Sequence, residues 1–218
     1  MRSLATPFGP LSFSNTTRFL PIVSPYASGF HTWAAFEAGM DEEAISLMRT
    51  VWKNQTDVNN PWYTGMTWEF INGTSGEPHN AKQSSQAHGW GSGPTWQLSR
   101  YVLGVSPAAP GYSTWSFAPR TVKLTFANGR VPTPWGTITA GWEDTGLRFD
   151  MHISAPAGTN GTVLIPGAAA KKVSINGVEV NTNGKPSLPE NVAWAGADGE
   201  AYRVNVTGGI SSFTISAF

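Results

Sequence analysis

The sequence has 218 residues, 40% of them hydrophobic and 13% charged, and its formal net charge is zero. A chain of this length and hydrophobic content can bury a core, either in one large domain or in two small ones. Nucleic acids and anionic membranes are bound through an excess of positive charge, so neither is expected as a partner. Because cysteine is absent, thiolate catalysis and disulfide bonds are excluded.

The first half of the chain has the apolar spacing of helices. Residues 26–38 carry apolar side chains at three- and four-residue steps, and Gly39 is placed to end that helix. A second helix begins at Asp41, which is expected as its N-cap, so the two helices form a hairpin. After a long polar loop, a third helix is predicted from about Gly93 to Leu103. The pattern therefore predicts a helical first part.

After Pro110 the apolar pattern changes to the two-residue period of strands. Eight strands are predicted, at residues 113–117, 121–126, 136–142, 147–153, 161–165, 172–175, 201–206 and 211–215. Tight turns are expected at Asn128-Gly129, Asn160-Gly161 and Asn176-Gly177. Short strands at this spacing predict an antiparallel β-sandwich. We therefore expect an α+β chain with one domain at residues 1–109 and another at residues 110–218.

Metal, nucleotide and serine-hydrolase sites are not indicated. The four histidines, His31, His79, His88 and His152, lack the spacing of metal ligands, and without cysteine a zinc site is not expected. The sequence also lacks the Gly-x-Ser-x-Gly elbow and the glycine-rich loops that bind nucleotides. We therefore expect no metal and no cofactor.

The polar loop at residues 61–93 holds the candidate functional residues. Glu69 lies between two aromatic residues, and a carboxylate that loses hydration suits proton transfer, so Glu69 is the candidate acid or base. The rings that are candidates to stack on a sugar are Trp62, Tyr63, Trp68 and Trp90. His88 is the candidate to hydrogen-bond sugar hydroxyls. A structural interpretation stays open, in which Glu69 pairs with Arg100 or Arg18, the tryptophans lie in the core and His88 caps the next helix.

Five asparagines occupy the Asn-x-Ser/Thr acceptor sequence of N-glycosylation. They are Asn15, Asn54, Asn72, Asn160 and Asn205. This number favours a secreted, glycosylated protein, although polar sequences rich in threonine also produce such triplets by chance. The first residues lack the apolar centre of a signal peptide, so a secretion signal is expected upstream of this sequence.

Four motifs, in one order along residues 20–145, resemble those of the α-L-rhamnosidases of glycoside hydrolase family 78. They are SPYASGFHTWAAFEAGMDEEAISLMRTVW, TGMTWEF, HGWGSGPTWQLSRYVLGVSP and GRVPTPWGTITAGWE. The resemblance implies a fold, the C-terminal portion of an (α/α)6 barrel followed by a C-terminal β-sandwich. It also implies an activity, hydrolysis of terminal α-L-rhamnosyl bonds with inversion, on a rhamnose-containing glycoside or polysaccharide.

The resemblance implies roles for individual residues. The family's Thr-x-Trp-Glu motif supplies the general base, and it matches Thr67 to Glu69, so Glu69 is implied as the base. The His-Gly-Trp motif implies that His88 contacts the bound sugar. Trp68 is implied as a wall of the pocket, with a supporting role in the core as the alternative.

One part of the family's pattern is absent. Its general acid belongs to an acidic motif with no counterpart in this sequence, so these 218 residues are expected to hydrolyse rhamnosides weakly or not at all by themselves. An incomplete barrel leaves an apolar face exposed, expected at Trp33, Phe36, Leu47 and Trp52. Such a face favours self-association or association with a missing N-terminal part. The alternatives are a non-catalytic carbohydrate-binding or accessory module and a structural remnant without a ligand.

Overall fold

The computed structural model describes residues 4–14, 20–80, 84–166, 172–180, 188, 191–198, 201–207 and 213–217. The chain divides into two compact units, Met1–Gln97 and Leu98–Phe218. Helices predominate in the first unit and strands in the second, so the predicted α+β class is confirmed. The domain assignment at residues 1–109 and 110–218 stays a prediction.

The predicted helical hairpin is confirmed in the first unit. Helix α1 spans Pro25–Glu37, and the side chain of Ser24 caps it by accepting the backbone N–H of Ala27 at 3.3 Å. Helix α2 spans Asp41–Thr56 and carries three acidic residues in its first turn, where they oppose the positive end of the helix dipole. Asp41 is the first helical residue and Met40 occupies the N-cap position, so the prediction of Asp41 as N-cap is wrong by one residue.

Two short strand pairs and a third helix complete the first unit. Strands β1 (Ala5–Thr6) and β2 (Gly9–Pro10) pair with each other, as do β3 (Ile22–Val23) and β4 (Ile71–Asn72). Helix α3 spans Gly93–Gln97. The buried apolar side chains of the unit include Val23, Phe36, Ala44, Val51, Trp52, Trp68 and Ile71. Phe36 and Trp52 were expected on an exposed face, and that prediction is wrong because both pack in this core.

Glycine allows helices α1 and α3 to approach each other closely. A Cβ atom on Gly93 would lie 3.1 Å from the Cα atom of Gly29. Beside this contact, the amide of Gln97 donates a hydrogen bond to the carbonyl of Gly29 at 2.8 Å and accepts one from the hydroxyl of Thr32 at 2.7 Å. Because Gln97 and Thr32 are buried, these bonds fix the pairing of the two helices.

The second unit begins with one π-helical turn, Leu98–Val102, where the sequence predicted a continuation of the third helix. Eleven strands follow in the described part of this unit. They are β5 (Val105–Pro107), β6 (Thr114–Phe117), β7 (Phe126–Thr133), β8 (Gly136–Asp144), β9 (Phe149–Ser154), β10 (Asn160–Ile165), β11 (Val173–Ile175), β12 (Val178–Val180), β13 (Val192–Asp198), β14 (Ala201–Thr207) and β15 (Phe213–Ala217). Of these, β5, β7, β12 and β13 were not predicted, since the predicted strand at residues 121–126 shares only Phe126 with β7.

The strands form two sheets. One has the order β13-β14-β10-β6-β5 and the other β12-β11-β15-β9-β8-β7. Strand β10 pairs with β6 in parallel, so this pairing departs from the predicted antiparallel arrangement. The alternation predicted for residues 147–153 is confirmed from Phe149 onward, since Phe149, Met151 and Ile153 of β9 are buried, but Leu147 precedes the strand and is 86% exposed. None of the described helices is long and apolar enough to cross a lipid bilayer.

Three local predictions in this unit are wrong, each for a structural reason. The predicted strand at residues 121–126 is a turn, in which Val122 and Lys123 have φ angles of 46° and 59°. Asn128-Gly129 lies inside β7, where a Cβ atom on Gly129 would come within 2.8 Å of Leu103. Asn160-Gly161 starts β10, because a side chain at Gly161 would overlap the ring of Trp115. The third Asn-Gly turn, Asn176-Gly177, is confirmed between β11 and β12.

Candidate functional site

The segments that carry Glu69 and His88 lie side by side in the first unit. The backbone N–H of Glu69 donates to the carbonyl of Ser85 at 2.9 Å, and that of His88 donates to the carbonyl of Thr67 at 2.7 Å. The hydroxyl of Thr67 donates in return to the carbonyl of His88 at 2.6 Å. The structure therefore brings together the two segments that hold the main predicted site residues.

Two side chains of helix α2 anchor both segments through hydrogen bonds. The side-chain oxygen of Gln55 accepts the backbone N–H of Trp68 at 2.7 Å. The indole N–H of Trp52 donates to the carbonyl of Gly91 at 2.7 Å, three residues beyond His88. Gln55 and Trp52 are both buried and lie one helical turn apart, so one face of α2 fixes the two segments.

The carboxylate of Glu69 is held in a defined orientation. Its Oε2 atom accepts the backbone N–H of Ser85 at 3.0 Å, and the residue is half-buried. A carboxylate oriented as a hydrogen-bond acceptor on a fixed segment is suited to accept a proton from a neighbouring water.

Trp68 and Gly91 serve the protein's own packing. Trp68 is 0% exposed, and among the described residues its indole nitrogen has no hydrogen-bond partner. A Cβ atom on Gly91 would lie 2.9 Å from the Cβ atom of Thr67 and 3.1 Å from the carbonyl oxygen of Trp68. The absent side chain of Gly91 thus lets the two segments meet, while a contact of Trp68 with sugar stays a prediction.

The other predicted sugar contacts are on the surface. Trp62 is 40% exposed, and its backbone N–H donates to the side chain of Asn60 at 2.9 Å. Trp90 is 67% exposed, and its ring centroid lies 5.5 Å from that of His88 and 4.9 Å from that of Tyr26. The structure therefore places Trp90 beside His88, and contact of either with sugar stays a prediction.

Aromatic side chains continue from Trp90, and of these only Trp33 was predicted from the sequence to be exposed. Tyr26, Phe30 and Trp33 are exposed on α1, and Trp96 is exposed on α3. The signal was present in the spacing, since Tyr26, Phe30 and Trp33 follow each other at helical steps of four and three. Such a stripe on one helix face normally indicates a buried core, which is why Tyr26 and Phe30 were not predicted to be exposed.

The four described glycosylation candidates differ in their surroundings. Asn54 lies in α2, and its side-chain nitrogen donates to the carbonyl of Gly76 at 2.9 Å. The side-chain oxygen of Asn72 accepts the N–H of Thr74 at 2.9 Å. The two exposed candidates are Asn160 on β10 and Asn205 on β14. Asn15 and the alternative partner Arg18 lie outside the described residues.

No group of three or more described histidine, aspartate or glutamate side chains is arranged to hold a metal ion.

Sequence comparisons find similarity to α-L-rhamnosidases over part of the chain. The model of the "Bacterial alpha-L-rhamnosidase C-terminal domain" matches residues 104–179. An alpha-L-rhamnosidase of Alteromonas sp. (strain LOR) is 34% identical over 94 residues, which are 41% of this chain and 10% of that protein. Part of the chain is therefore similar in sequence to α-L-rhamnosidases. The residues matched by the family model lie in the second unit and do not include Glu69 or His88.

Solved α-L-rhamnosidases share the fold. The enzyme of Dictyoglumus thermophilum is similar with a TM-score of 0.61 and 19% identity, over 88% of this chain and 20% of that one. The enzyme of Streptomyces avermitilis, solved with L-rhamnose, gives a TM-score of 0.53 and 17% identity over 66% of this chain and 12% of that one. The chain thus spans a fifth or less of the length of these α-L-rhamnosidases.

Proposed function

We propose that this chain is an α-L-rhamnosidase-type glycoside hydrolase segment that hydrolyses terminal α-L-rhamnosyl bonds with inversion, with Glu69 as the general base. The observation that carries the proposal is the fixed carboxylate of Glu69 beside the segment of His88, both anchored on α2. Relatedness to an alpha-L-rhamnosidase at 34% identity supports it.

The mechanism assigns the base step to this chain. In an inverting glycosidase one carboxylate removes a proton from the attacking water, and a carboxylic acid about 6.5–9.5 Å away protonates the leaving oxygen. Glu69 takes the first role, and His88 binds hydroxyls of the rhamnosyl ring. We assign the acid to the family's acidic motif, which this sequence does not contain, so the chain alone hydrolyses rhamnosides weakly or not at all.

The proposal extends to architecture and location. Helices α1 to α3 correspond to the C-terminal portion of an (α/α)6 barrel, and the two sheets of the second unit correspond to the C-terminal β-sandwich. The similarity over 88% of the chain to the Dictyoglumus structure supports this arrangement. The five acceptor triplets support a secreted, glycosylated protein.

The test of the base requires an acid in the same molecule. The part of the Alteromonas relative that precedes its counterpart of this whole chain is fused to this chain, so that Glu69 is the base of the fusion, and turnover of an aryl α-L-rhamnoside is measured. Glu69→Gln is expected to lower kcat by about 10²–10⁴-fold, the usual contribution of a general base. Glu77→Gln, at an exposed carboxylate eight residues further on, is the control and is expected to retain full activity.

The results separate the parts of the proposal. The first sugar released by the fusion is expected to be the β anomer, detected by NMR before mutarotation. Full activity of Glu69→Gln in an active fusion would show that Glu69 is not the base. Turnover by the unfused chain that Glu69→Gln abolishes would show that the acid lies within these 218 residues.

A second candidate function is non-catalytic sugar binding, which the exposed aromatic side chains beside His88 favour. It predicts that the fusion binds rhamnosides without cleaving them.

A further inference from the structure

Five exposed aromatic rings form a continuous row on the first unit, which we call the aromatic row. In contact order they are Trp90, Tyr26, Phe30, Trp33 and Trp96, and each is between 41% and 67% exposed. The successive ring centroids are separated by 4.9, 5.0, 6.4 and 5.4 Å. The row begins next to His88, because the ring of Trp90 contacts both His88 and Tyr26.

The aromatic row lines a cleft of about 300 Å³. Gly29 and Gly93 form part of its lining, where helices α1 and α3 meet without side chains between them. Gln97 lies in the lining as well, and its hydrogen bonds to Gly29 and Thr32 hold that wall in place. The depression is therefore built on a rigid contact between two helices, and its volume is near the lower end of the roughly 300–1,000 Å³ of small-molecule sites.

The rings are arranged so that their faces stay available. Tyr26 meets Phe30 at an interplanar angle of 86°, and Trp33 meets Trp96 at 84°. In such edge-to-face pairs one ring covers only part of the other, unlike a face-to-face stack. The exposed ring faces are suited to the apolar face of a pyranose ring.

Polar groups accompany the rings at the edge of the cleft. The indole N–H of Trp33 points to the exposed carboxylate of Glu37, at 3.3 Å. Ser92, also in the lining, and the phenol of Tyr26 add hydroxyl groups. A sugar needs this combination, since its ring face is apolar and its rim carries hydroxyls that form hydrogen bonds.

We propose that the cleft of the aromatic row binds a pyranose ring of a glycan that continues from the sugar held at His88. Trp33 stacks on one face of this ring, Trp96 contacts its rim because the two indoles are nearly perpendicular, and Trp90 joins the cleft to the site at His88. That the glycan contains rhamnose rests on the proposed function, whereas sugar binding by the cleft does not.

The test is calorimetric titration of the full chain with an α-L-rhamnosylated oligosaccharide and with the same oligosaccharide lacking its rhamnose. Trp33→Ala and Trp96→Ala are each expected to weaken binding at least tenfold, and Trp33→Phe, which keeps a ring, is expected to recover most of it. Trp135→Ala is the matched control, since Trp135 is 50% exposed in the second unit, and it is expected to bind like the unaltered chain. Urea unfolding of each variant verifies that it is folded.

Each result bears on one claim. Binding of both oligosaccharides that is lost in Trp33→Ala supports the cleft and contradicts the rhamnoside assignment. Absence of binding by the unaltered chain overturns the cleft, as does binding that Trp33→Ala and Trp96→Ala leave unchanged. If light scattering shows a dimer that Trp33→Ala dissociates and no oligosaccharide binds, the aromatic row is a contact between two copies and the proposal is wrong.

Discussion

The side-chain oxygen of Gln55 lies 2.7 Å from the backbone nitrogen of Trp68, one residue before the carboxylate proposed as the base. Gln55 is 2% exposed and also donates to the carbonyl of Val51 at 3.0 Å. A buried backbone N–H needs a hydrogen-bond acceptor, and for Trp68 the side chain of Gln55 on α2 supplies it in place of a neighbouring strand. The position of Glu69 therefore depends on α2.

Gln55→Leu is expected to destabilise the first unit. The substitution leaves the buried N–H of Trp68 without its acceptor, which costs about 1–3 kcal/mol. The midpoint of urea unfolding is measured against Ser46→Leu, at an exposed position of the same helix, which is expected to change it little. Equal midpoints for Gln55→Leu and the unaltered chain would show that the hydrogen bond contributes nothing to stability.

Gly91→Ala is expected to push the two loop segments apart. Its new Cβ atom would lie 2.9 Å from Thr67, so the backbone must shift, at a cost of about 1–3 kcal/mol. Gly89→Ala is the control, because Gly89 lies in the same short 3-10 helix, Gly89–Gly91, and nothing lies within 4 Å of its added Cβ atom. Unfolding free energies of the two variants are compared, and a loss as large for Gly89→Ala as for Gly91→Ala would contradict the close approach.

The contact of α1 with α3 predicts opposite effects for two glycines. A Cβ atom on Gly29 would meet Gly93 at 3.6 Å, an ordinary contact, and alanine is favoured over glycine inside a helix by about 1 kcal/mol. Gly29→Ala is therefore expected to be neutral or stabilising. Gly93→Ala is expected to be destabilising, because its Cβ atom would lie 3.1 Å from the backbone of Gly29. Thermal unfolding tests the order, and the reverse order would mean that α3 is free to move away.

Tyr112 in the second unit makes alkaline stability testable. Burial raises the pKa of its phenol above 10.0, while the positive charge of Arg100 acts in the opposite direction. The pKa of Tyr112 is higher in the folded than in the unfolded state, so the neutral phenol contributes to the free energy of unfolding. That contribution is fully present below about pH 10 and is lost as the pH rises through the folded pKa. Phenolate absorbance at 295 nm is expected to show a late component that Tyr112→Phe removes and Arg100→Gln moves to higher pH. A titration that is unchanged in Tyr112→Phe would contradict the assignment.

Glycan occupancy is expected to follow side-chain exposure. When the chain is produced in a eukaryotic secretory host, peptide mass spectrometry is expected to find glycans at Asn160 and Asn205. Asn54 is expected to lack one in the folded protein, since its side-chain nitrogen donates to the carbonyl of Gly76. Full occupancy of Asn54 in folded material would contradict this hydrogen bond.

The local parts of the fold were predictable and the tertiary parts were not. The hairpin of α1 and α2 follows from helical spacing and from Gly39, which has a φ of 72° where the first helix stops. The turn at Val122 and Lys123 could not be predicted, because β-branched and long side chains rarely adopt positive φ angles. Local preference predicts a turn at Asn160-Gly161, but both residues pair with β6 and β14, and the ring of Trp115 leaves no room for a side chain at Gly161.

The candidate site was likewise predictable only in part. Residue types and motif order nominated Glu69, His88 and Trp90, and the structure joins their segments. It does not follow from the motifs that Trp68 is fully buried or that Gln55 holds it, since both depend on which face of α2 meets the loop. The exposed face was predicted at Trp33, Phe36, Leu47 and Trp52. Trp33 is exposed as predicted, Leu47 is half-buried, and Phe36 and Trp52 are buried.

The parallel pairing of β6 with β10 sets an order for folding. Strand β6 ends at Phe117 and β10 begins at Asn160, and the chain between them supplies β7, β8 and β9 to the other sheet. The two parts of the five-stranded sheet, β5-β6 and β10-β14-β13, therefore cannot pair until the whole chain between β6 and β10 has folded back. Pairings so distant in sequence close slowly, whereas the β7 to β9 meander needs only neighbouring strands. The six-stranded sheet is thus expected to nucleate this unit, and until β10 arrives one side of β6 is a free edge onto which another chain can add.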